Sequence, residues 1–496
     1  MHPPTENKIG IFGAVSYTAG TIVGSGIFVS PKGILEHAGS IGLSLVIWLA
    51  CCVIAMLSGL VYIELATSIP ESGSDFAYIN YVKWKPLAFA FLWLSNLIEA
   101  SCSCAILFFT FGEYIVEALD PLDLDLSDEG RRRIEQFSGF ALLWLLMWAN
   151  FFSLNRWASR IQIGITLAKL VSVSIIIVTG FYFLIFKGKT EHFEKDVVWK
   201  GTQKNPGEIV LAIYSGIWAY AGYDTLNYGT EDVDPKHLKR IMPISVVGGL
   251  AVVTVIYMLT NIAYFTILLP EDILDSSAVA TTFSRRTLGN FYYAMPAIVA
   301  ILMTGTLNSD LFSWSRFILA GARAKMMPTF LALVHADNES PRTGLLFHVL
   351  AAMAFSFVGP IDTLMKYLVV TGMLRQATTV AALLYIRWKG LPVSSSALRL
   401  PIIIPILVLI ISISLVVVPA VQDPWATLVG FGLLGGFLFI YFLYKYLFKF
   451  VWPEAEWRFL KRIDASTTVL FQRLFMSIVD EPPKIDYGLE NAKTKL

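Results

Sequence analysis

Long apolar runs recur along the whole chain, and short polar segments separate them. A helix needs about 20 apolar residues to cross the hydrocarbon of a bilayer. The runs are continuous rather than alternating, which excludes an outer-membrane barrel. The pattern predicts an all-α polytopic membrane protein with twelve transmembrane helices. The predicted spans are residues 10–35, 41–68, 86–118, 138–154, 160–186, 207–231, 241–269, 291–321, 343–359, 361–387, 400–420 and 425–448.

Two of the predicted spans contain clusters of glycine, which weaken a helix. Span one contains AGTIVGSGIFVSPKG, and span six contains SGIWAYAGYDTLNYGTEDV. A single such glycine is typical of a helix packing face. Two clusters five spans apart instead predict two broken helices in equivalent positions of a 5+5 inverted repeat. The predicted divisions are a cytosolic N-terminus (1–9), a first repeat (10–186), an extracellular loop (187–206), a second repeat (207–387), spans 11 and 12 (400–448) and a cytosolic tail (449–496).

A broken helix exposes backbone dipoles in the middle of the membrane. The N–H groups that begin the second half of a span form a positive dipole end, which suits a carboxylate. The carbonyls that end the first halves suit an ammonium group. Together they predict a site for a zwitterionic α-amino acid. The groups concerned are the N–H groups of Ser25, Gly26 and Ile27 and the carbonyls near Ile22, Trp218 and Ala219.

Charged and large aromatic residues inside the spans add candidate roles, because an intramembrane charge is costly. Lys169 in span five either takes the place of a bound sodium ion, touching spans one and eight, or snorkels to the surface. Asp224, just after the break in span six, either meets a cationic substrate side chain or caps the second half-helix. Asp310 and Arg375 are predicted to form a buried charge pair. Trp218 is placed to cover the ligand as a gate.

Composition and charge exclude several other classes of function. The chain is 56% hydrophobic and 15% charged, and its formal net charge of +1 gives no indication of nucleic-acid binding. The six histidines are scattered, and neither a nucleophile–base set nor a phosphate loop is present. We therefore expect a protein that is not an enzyme, without a cofactor and without a metal site. The distribution of lysine and arginine among the loops favours cytosolic termini.

The tail after the last span carries two further features. Apolar and basic residues recur at helical spacing over residues 452–479, which predicts an amphipathic helix. That helix either lies on the membrane surface or docks under the bundle. Thr494 and Leu496 fit a class I PDZ ligand, a peptide that adds a strand to a sheet edge. The sequence therefore predicts a PDZ scaffold as a partner.

Several of these segments resemble one family. TIVGSGIFVSPKG, YIELATSIPESGSDFAYI, YMLTNIAYFTIL and YIRWK are similar to the L-type amino acid transporters. These are the light chains of heteromeric amino acid transporters, within the amino acid–polyamine–organocation superfamily. The segment AYAGYDTLNYGTED is similar to the y+L-type members, which exchange cationic for neutral amino acids and carry aspartate at the position of Asp224.

The resemblance implies a bundle of the bacterial leucine transporter type that exchanges amino acids by alternating access. We expect exchange of neutral L-amino acids across the plasma membrane without sodium, with cationic substrates an open question. A non-transporting amino acid sensor with the same fold is the alternative. The resemblance also implies main-chain contacts with substrate at Ile22, Ser25, Gly26, Trp218 and Ala219, with Trp218 as gate and Lys169 as the sodium surrogate.

The chain departs from the family in the loop after span three. The light chains usually place a cysteine there, for a disulfide to a single-span partner. Residues 120–138 contain no cysteine, and none follows Cys104. We therefore expect no disulfide-linked heavy chain, whereas a non-covalent partner stays open. The expected partners are an amino acid substrate and the lipid bilayer.

Overall fold

The computed structural model describes residues 8–24, 26–119, 127–152, 159–276, 279–357, 361–422, 424–446 and 455–480. These residues form a helical bundle with one small two-stranded sheet. The helices are α1 (Ile11–Ile22), α2 (Gly26–Ala38), α3 (Ile41–Ser68), α4 (Ser74–Tyr81), α5 (Lys85–Leu94), α6 (Ser101–Leu119), α7 (Asp128–Asn150), α8 (Ser159–Phe186), α9 (Lys195–Val198), α10 (Pro206–Ala219), α11 (Thr225–Tyr228), α12 (Leu238–Pro243), α13 (Gly249–Ile267), α14 (Pro270–Asp275), α15 (Val279–Thr287), α16 (Met295–Arg323), α17 (Arg342–Phe355), α18 (Ile361–Lys389), α19 (Ile403–Gln422), α20 (Pro424–Tyr446) and α21 (Ala455–Phe475). The strands are β1 (Leu333–His335) and β2 (Ser477–Val479).

Each predicted span coincides with a helix or with consecutive helices. Among the described residues, seven helical segments are long and apolar enough to cross a membrane, and two shorter apolar helices accompany them. The exact number of twelve crossings and the inverted repeat stay predictions. The seven are Ile11–Phe28, Ile41–Ser68, Lys85–Leu119, Arg160–Phe186, Pro235–Ile267, Tyr292–Arg323 and Thr427–Tyr446.

Local sequence explains where several helices begin. Ser40 precedes α3, and its hydroxyl accepts a hydrogen bond from the N–H of Leu43 at 3.3 Å. Asn205 precedes α10, and its side-chain oxygen accepts from the N–H of Gly207 at 3.0 Å. Such side chains satisfy N–H groups that have no partner in the first turn of a helix. They fix the entry of spans two and six into the bundle.

Both predicted interruptions are present. Span one divides into α1 and α2, and span six divides into α10 and α11. A Cβ atom on Gly26 would lie 2.6 Å from the Cα of Ala219, so only glycine permits this approach of the two broken spans. Gly222, in the turn after α10, has a φ of +102°, a conformation that side chains disfavour. The glycines are therefore required by the crossing of the two breaks.

The tail folds back onto the bundle through α21 and β2. The ring of Phe471 stacks on that of Phe330 at 4.9 Å, and the carboxylate of Asp464 accepts a hydrogen bond from the N–H of Thr329 at 2.8 Å. Strand β2 pairs antiparallel with β1. The prediction of a helix over residues 452–479 was wrong at the C-terminal end, because Ser477–Val479 forms a strand. The sequence left open whether this helix lies on the membrane surface or docks under the bundle. The contacts of Phe471 and Asp464 are those of a helix docked on the bundle. Thr494 and Leu496 lie outside the described residues.

An ionic network links this tail to the ends of two spans. The guanidinium of Arg323, at the end of α16, pairs with Glu231 at 2.7 Å and also with Asp480, just after β2. Nearby, Ile9 forms a backbone bridge with Val233. Both described ends of the chain thus lie at the same end of spans six and eight.

Candidate functional site

Two cavities meet at the break in span six. The first has a volume of about 150 Å³ and the second about 220 Å³. Six residues line both of them, so the cavities are neighbours with a shared wall. The shared residues are Glu99, Trp218, Ala221, Gly222, Asp224 and Arg375.

The second cavity lies against the broken ends of spans one and six. Of the residues predicted to contact substrate, those that line it are Ile22, Gly26, Trp218, Ala219 and Asp224. Ile27 is fully buried in the hydrophobic core instead. Ser25 lies outside the described residues. The structure therefore brings most of the predicted set to one cavity.

Lys169 is completely buried behind the break in span one. Its ammonium donates hydrogen bonds to the carbonyls of Gly20 at 2.6 Å and Val23 at 2.8 Å. The third bond goes to the hydroxyl of Thr306 on α16 at 2.9 Å. The ammonium therefore uses all three of its donors on spans one and eight. It does not snorkel, because its partners lie within the bundle.

Tyr257 on α13 is a residue that sequence reasoning missed. Its hydroxyl lies 2.6 Å from the carbonyl oxygen of Ile22 and 3.0 Å from that of Ala219, within hydrogen-bonding distance of both. The oxygen of Ile22 also accepts from the N–H of Gly24 at 2.8 Å. Tyr257 therefore joins the two broken ends directly. Its position in the motif YMLTNIAYFTIL indicated a family resemblance but no role for its hydroxyl.

We expect Tyr257→Phe to reduce amino acid uptake several-fold. The change leaves the carbonyl of Ala219 without the hydroxyl that it contacts, at a cost of roughly 1–3 kcal/mol for a buried polar group. Uptake of radiolabelled amino acid, normalised to surface expression, measures the effect.

The control for Tyr257→Phe is Tyr264→Phe on the same helix. Tyr264 is also fully buried, but its hydroxyl has no hydrogen-bond partner among the described residues. The control should leave uptake near the wild-type rate. Equal losses in the two variants would contradict a specific role for the Tyr257 hydroxyl.

The predicted pair between Asp310 and Arg375 was wrong. The guanidinium of Arg375 pairs with Glu99 at 2.6 Å and with Asp75 at 3.0 Å. Asp310 instead accepts a hydrogen bond from the indole of Trp314 at 3.0 Å. The physical reason is rotation about the helix axis: Glu99 lies in a π-helical segment, Ser95–Ala100, that carries its carboxylate toward α18.

Asp75 is held in place by several partners. One oxygen of its carboxylate accepts hydrogen bonds from the hydroxyls of Tyr62 at 2.5 Å and Thr379 at 2.7 Å. The other oxygen faces Arg375. The buried carboxylate is thus a fixed negative charge in the wall of the first cavity.

Asp224 lines both cavities and does not cap the following helix. Its side chain makes no capping hydrogen bond to α11, so the structure contradicts the capping alternative. Among the described residues, no cationic side chain lies within ion-pair distance of it. A buried carboxylate without a cation is costly. The carboxylate of Asp224 therefore favours a ligand that carries a positive charge.

The two cavities together carry an excess of negative formal charge. Four carboxylates line them, and the only cationic side chain among the described lining residues is the guanidinium of Arg375. The carboxylates are those of Asp75, Glu99, Asp224 and Asp310. A cation entering from water would therefore be attracted to this region.

Trp218 forms part of the wall between the two cavities. It stands at the penultimate position of α10, and it is 39% exposed although it lies in the middle of the span. Such exposure excludes a tryptophan that is simply packed in the core. Its ring can contact a molecule in either cavity.

A helical bundle with two broken spans around a central cavity is the architecture of secondary transporters. The amino acid permease family matches residues 9–439. The chain belongs to this family and, by its relatives, to the L-type amino acid transporters. It is therefore a multi-pass membrane protein and an amino acid transporter, and its relatives are transporters rather than enzymes.

Three relatives illustrate the range of the match. Amino acid transporter protein 6 of Caenorhabditis elegans is 40% identical over 91% of this chain and 84% of its own length. The human cystine/glutamate transporter is 35% identical, covering 86% and 83%. The b(0,+)-type amino acid transporter 1 of Mus musculus is 32% identical, covering 97% and 94%.

A solved structure supports the fold alone. The crystal structure of MhsT in complex with L-phenylalanine is similar over 83% of this chain and 98% of that chain. The TM-score is 0.57 and the sequence identity is 14%. The similarity agrees with the leucine-transporter type of bundle that the sequence predicted.

Proposed function

We propose that this protein exchanges neutral and cationic L-amino acids across the plasma membrane, by alternating access and without sodium. The α-ammonium and α-carboxylate groups bind in the second cavity, at the broken ends of spans one and six. The substrate side chain extends past Trp218 into the first cavity. Trp218 serves as the gate between bound substrate and solvent.

One observation carries this proposal. The two cavities share Trp218 and Asp224. The broken helix ends line the second cavity, and the carboxylates of Asp75, Glu99 and Asp224 form an acidic wall of the first. Helix ends suit the dipolar head group that all α-amino acids share. The acidic wall distinguishes among side chains by charge. With a neutral substrate, Arg375 supplies the positive charge beside these carboxylates. Lysine and arginine add a side-chain cation beside Asp224.

The proposed independence from sodium rests on Lys169. Its ammonium holds the carbonyls that end α1 and the hydroxyl of Thr306, which are oxygen ligands of the kind a sodium ion would use. Because this ammonium is covalently attached, the transport cycle needs no dissolved ion to stabilise the break in span one.

A competition panel tests the proposal. Uptake of labelled leucine into cells or proteoliposomes is measured against neutral, cationic and anionic amino acids, first with sodium and then with choline. We expect inhibition by neutral and cationic competitors and the same rate in both buffers. External amino acid should also stimulate efflux from preloaded vesicles. The absence of stimulated efflux would favour a sensor over an exchanger.

We expect Asp224→Asn to reduce the affinity for lysine about 10- to 100-fold, because a hydrogen bond to a charged group contributes roughly 1.5–3 kcal/mol. Leucine uptake should change little, since its side chain carries no charge. The measurement is the KM for each substrate in sodium-free buffer.

The matched control for Asp224→Asn is Asp196→Asn, the same substitution at an exposed position in the segment between α8 and α10. It should leave both KM values unchanged. If Asp224→Asn weakened leucine and lysine equally, the carboxylate would not act on the substrate side chain.

The remaining predictions of topology and partners stand as part of the same proposal. We propose cytosolic termini, no disulfide-linked heavy chain and a PDZ scaffold bound to Thr494 and Leu496. Pull-down with PDZ domains, comparing the full chain with Leu496→Ala, tests the last of these.

A further inference from the structure

A cluster of potential metal ligands lies beside the second cavity. Cys104 on α6, Asp310 on α16 and His348 on α17 place their ligand atoms within 4.8 Å of one another. Cys104 is completely buried and His348 is 1% exposed. The three residues come from three different spans, so no spacing along the sequence reveals the cluster.

Two of the three ligand atoms have no hydrogen-bond partner among the described residues. These are the Nε2 of His348 and the Oδ2 of Asp310, which lie 3.8 Å apart. That separation is too long for a direct hydrogen bond. Buried polar atoms are normally satisfied, and an unsatisfied pair facing one another requires a reason. A ligand between the two atoms would satisfy both.

We propose that Cys104, Asp310 and His348 form a binding site for a divalent transition metal ion of the zinc class. Sulfur, imidazole nitrogen and carboxylate oxygen together suit zinc, whereas magnesium and calcium prefer oxygen ligands alone. Zinc bonds of about 2.0–2.3 Å place neighbouring ligands roughly 3.3–3.8 Å apart, so the three atoms need to approach by roughly 1 Å. A fourth position remains for water.

The surroundings of the cluster support binding in two ways. The Oδ1 of Asp310 accepts the indole N–H of Trp314, which fixes the carboxylate with its Oδ2 toward His348. Such outer contacts orient metal ligands. Asp310 also lines the second cavity, which gives the ion a path from the substrate pathway to the cluster.

Binding alters the charge next to the substrate site. Before binding, the cluster carries the charge of the Asp310 carboxylate alone. Metal coordination requires the thiolate of Cys104, so the thiol releases one proton to solvent. With a divalent ion bound, the formal charge of the cluster rises from −1 to zero. This change reduces the negative charge that faces the second cavity.

Metal binding to the purified full-length chain tests the site directly. Wild-type protein in detergent is equilibrated with Zn²⁺, and bound metal is quantified per chain. We expect one saturable site in the wild type, with affinity reduced at least about 100-fold in Cys104→Ala and in His348→Leu. The corresponding Cd²⁺ complex should give a thiolate charge-transfer absorption, which Cys104→Ala abolishes.

The control variant is Cys102→Ala. Cys102 is also buried and lies two residues from Cys104 in span three, but it does not belong to the cluster. This variant should keep the site. Neither Cys104 nor His348 lines the two cavities. If Cys104→Ala and His348→Leu take up substrate at the wild-type rate in the presence of a chelator, both variants are folded. No saturable Zn²⁺ site in the wild type, or unchanged affinity in both folded variants, would overturn the proposal.

A transport measurement extends the test and rests on the proposed function. If the side-chain cation of lysine lies beside Asp224, which lines both cavities, Zn²⁺ should slow lysine uptake more than leucine uptake in the wild type, and should slow both equally little in Cys104→Ala. Equal inhibition of both substrates with intact metal stoichiometry would count against the cationic part of the proposed function while leaving the metal site in place.

Discussion

Replacing Lys169 with methionine should abolish amino acid transport. The substitution keeps an unbranched side chain that is one atom shorter, but it removes three hydrogen bonds, to Gly20, Val23 and Thr306. Each hydrogen bond to a charged group contributes roughly 1.5–3 kcal/mol, so loss of one alone changes a rate or equilibrium about 10- to 100-fold. We expect uptake below about one-hundredth of the wild-type rate, in sodium and in choline alike.

The measurement for Lys169→Met is initial uptake per surface copy, with the variant protein quantified by surface labelling. Lys187→Met is the control, since Lys187 is exposed just beyond the end of the same helix. It should transport normally. A Lys169→Met protein that reached the surface and transported at the wild-type rate would refute the role of sodium surrogate.

Substitution of Gly26 by valine should have a comparable effect for a steric reason. A Cβ atom at this position would lie 2.6 Å from the Cα and 2.9 Å from the Cβ of Ala219, and the first of these neighbours is backbone. Relief requires that the two broken spans separate, at a cost of roughly 1–3 kcal/mol for an overpacked site. Because the same separation disrupts the second cavity, we expect uptake near background.

The test of Gly26→Val compares uptake with surface expression and adds Gly26→Ala, which should already reduce transport strongly. Gly164→Val in span five is the control, because a Cβ atom there would meet nothing within 4 Å. The control should transport at close to the wild-type rate. Normal transport by Gly26→Val would mean that the substrate site lies elsewhere.

The broken spans were predictable because their signal is local. Glycine clusters are visible in the sequence, and their equivalent positions indicated two breaks without any knowledge of packing. The contacts of Lys169 were predictable at the level of whole spans for a similar reason: a buried ammonium needs oxygen partners, and the neighbouring spans supply them.

The partners of Arg375 could not be predicted from the depth of each residue in the membrane. Depth placed Asp310 and Arg375 at a similar level, but pairing also depends on the direction in which each helix faces. A π-helical segment shifts the facing of every residue after it, and Glu99 lies in such a segment. Tyr257 was missed because a tyrosine in an apolar span is explained equally well by packing.

The attachment of the tail has a practical consequence for handling this protein. Arg323 forms ion pairs with both Glu231, at the end of span six, and Asp480, after β2. A chain shortened before Ser477 would lose both the strand and one of these acidic partners. Expression trials that trim the C-terminus for crystallisation would therefore alter the contacts beneath a broken helix. A boundary placed after Asp480 keeps them intact.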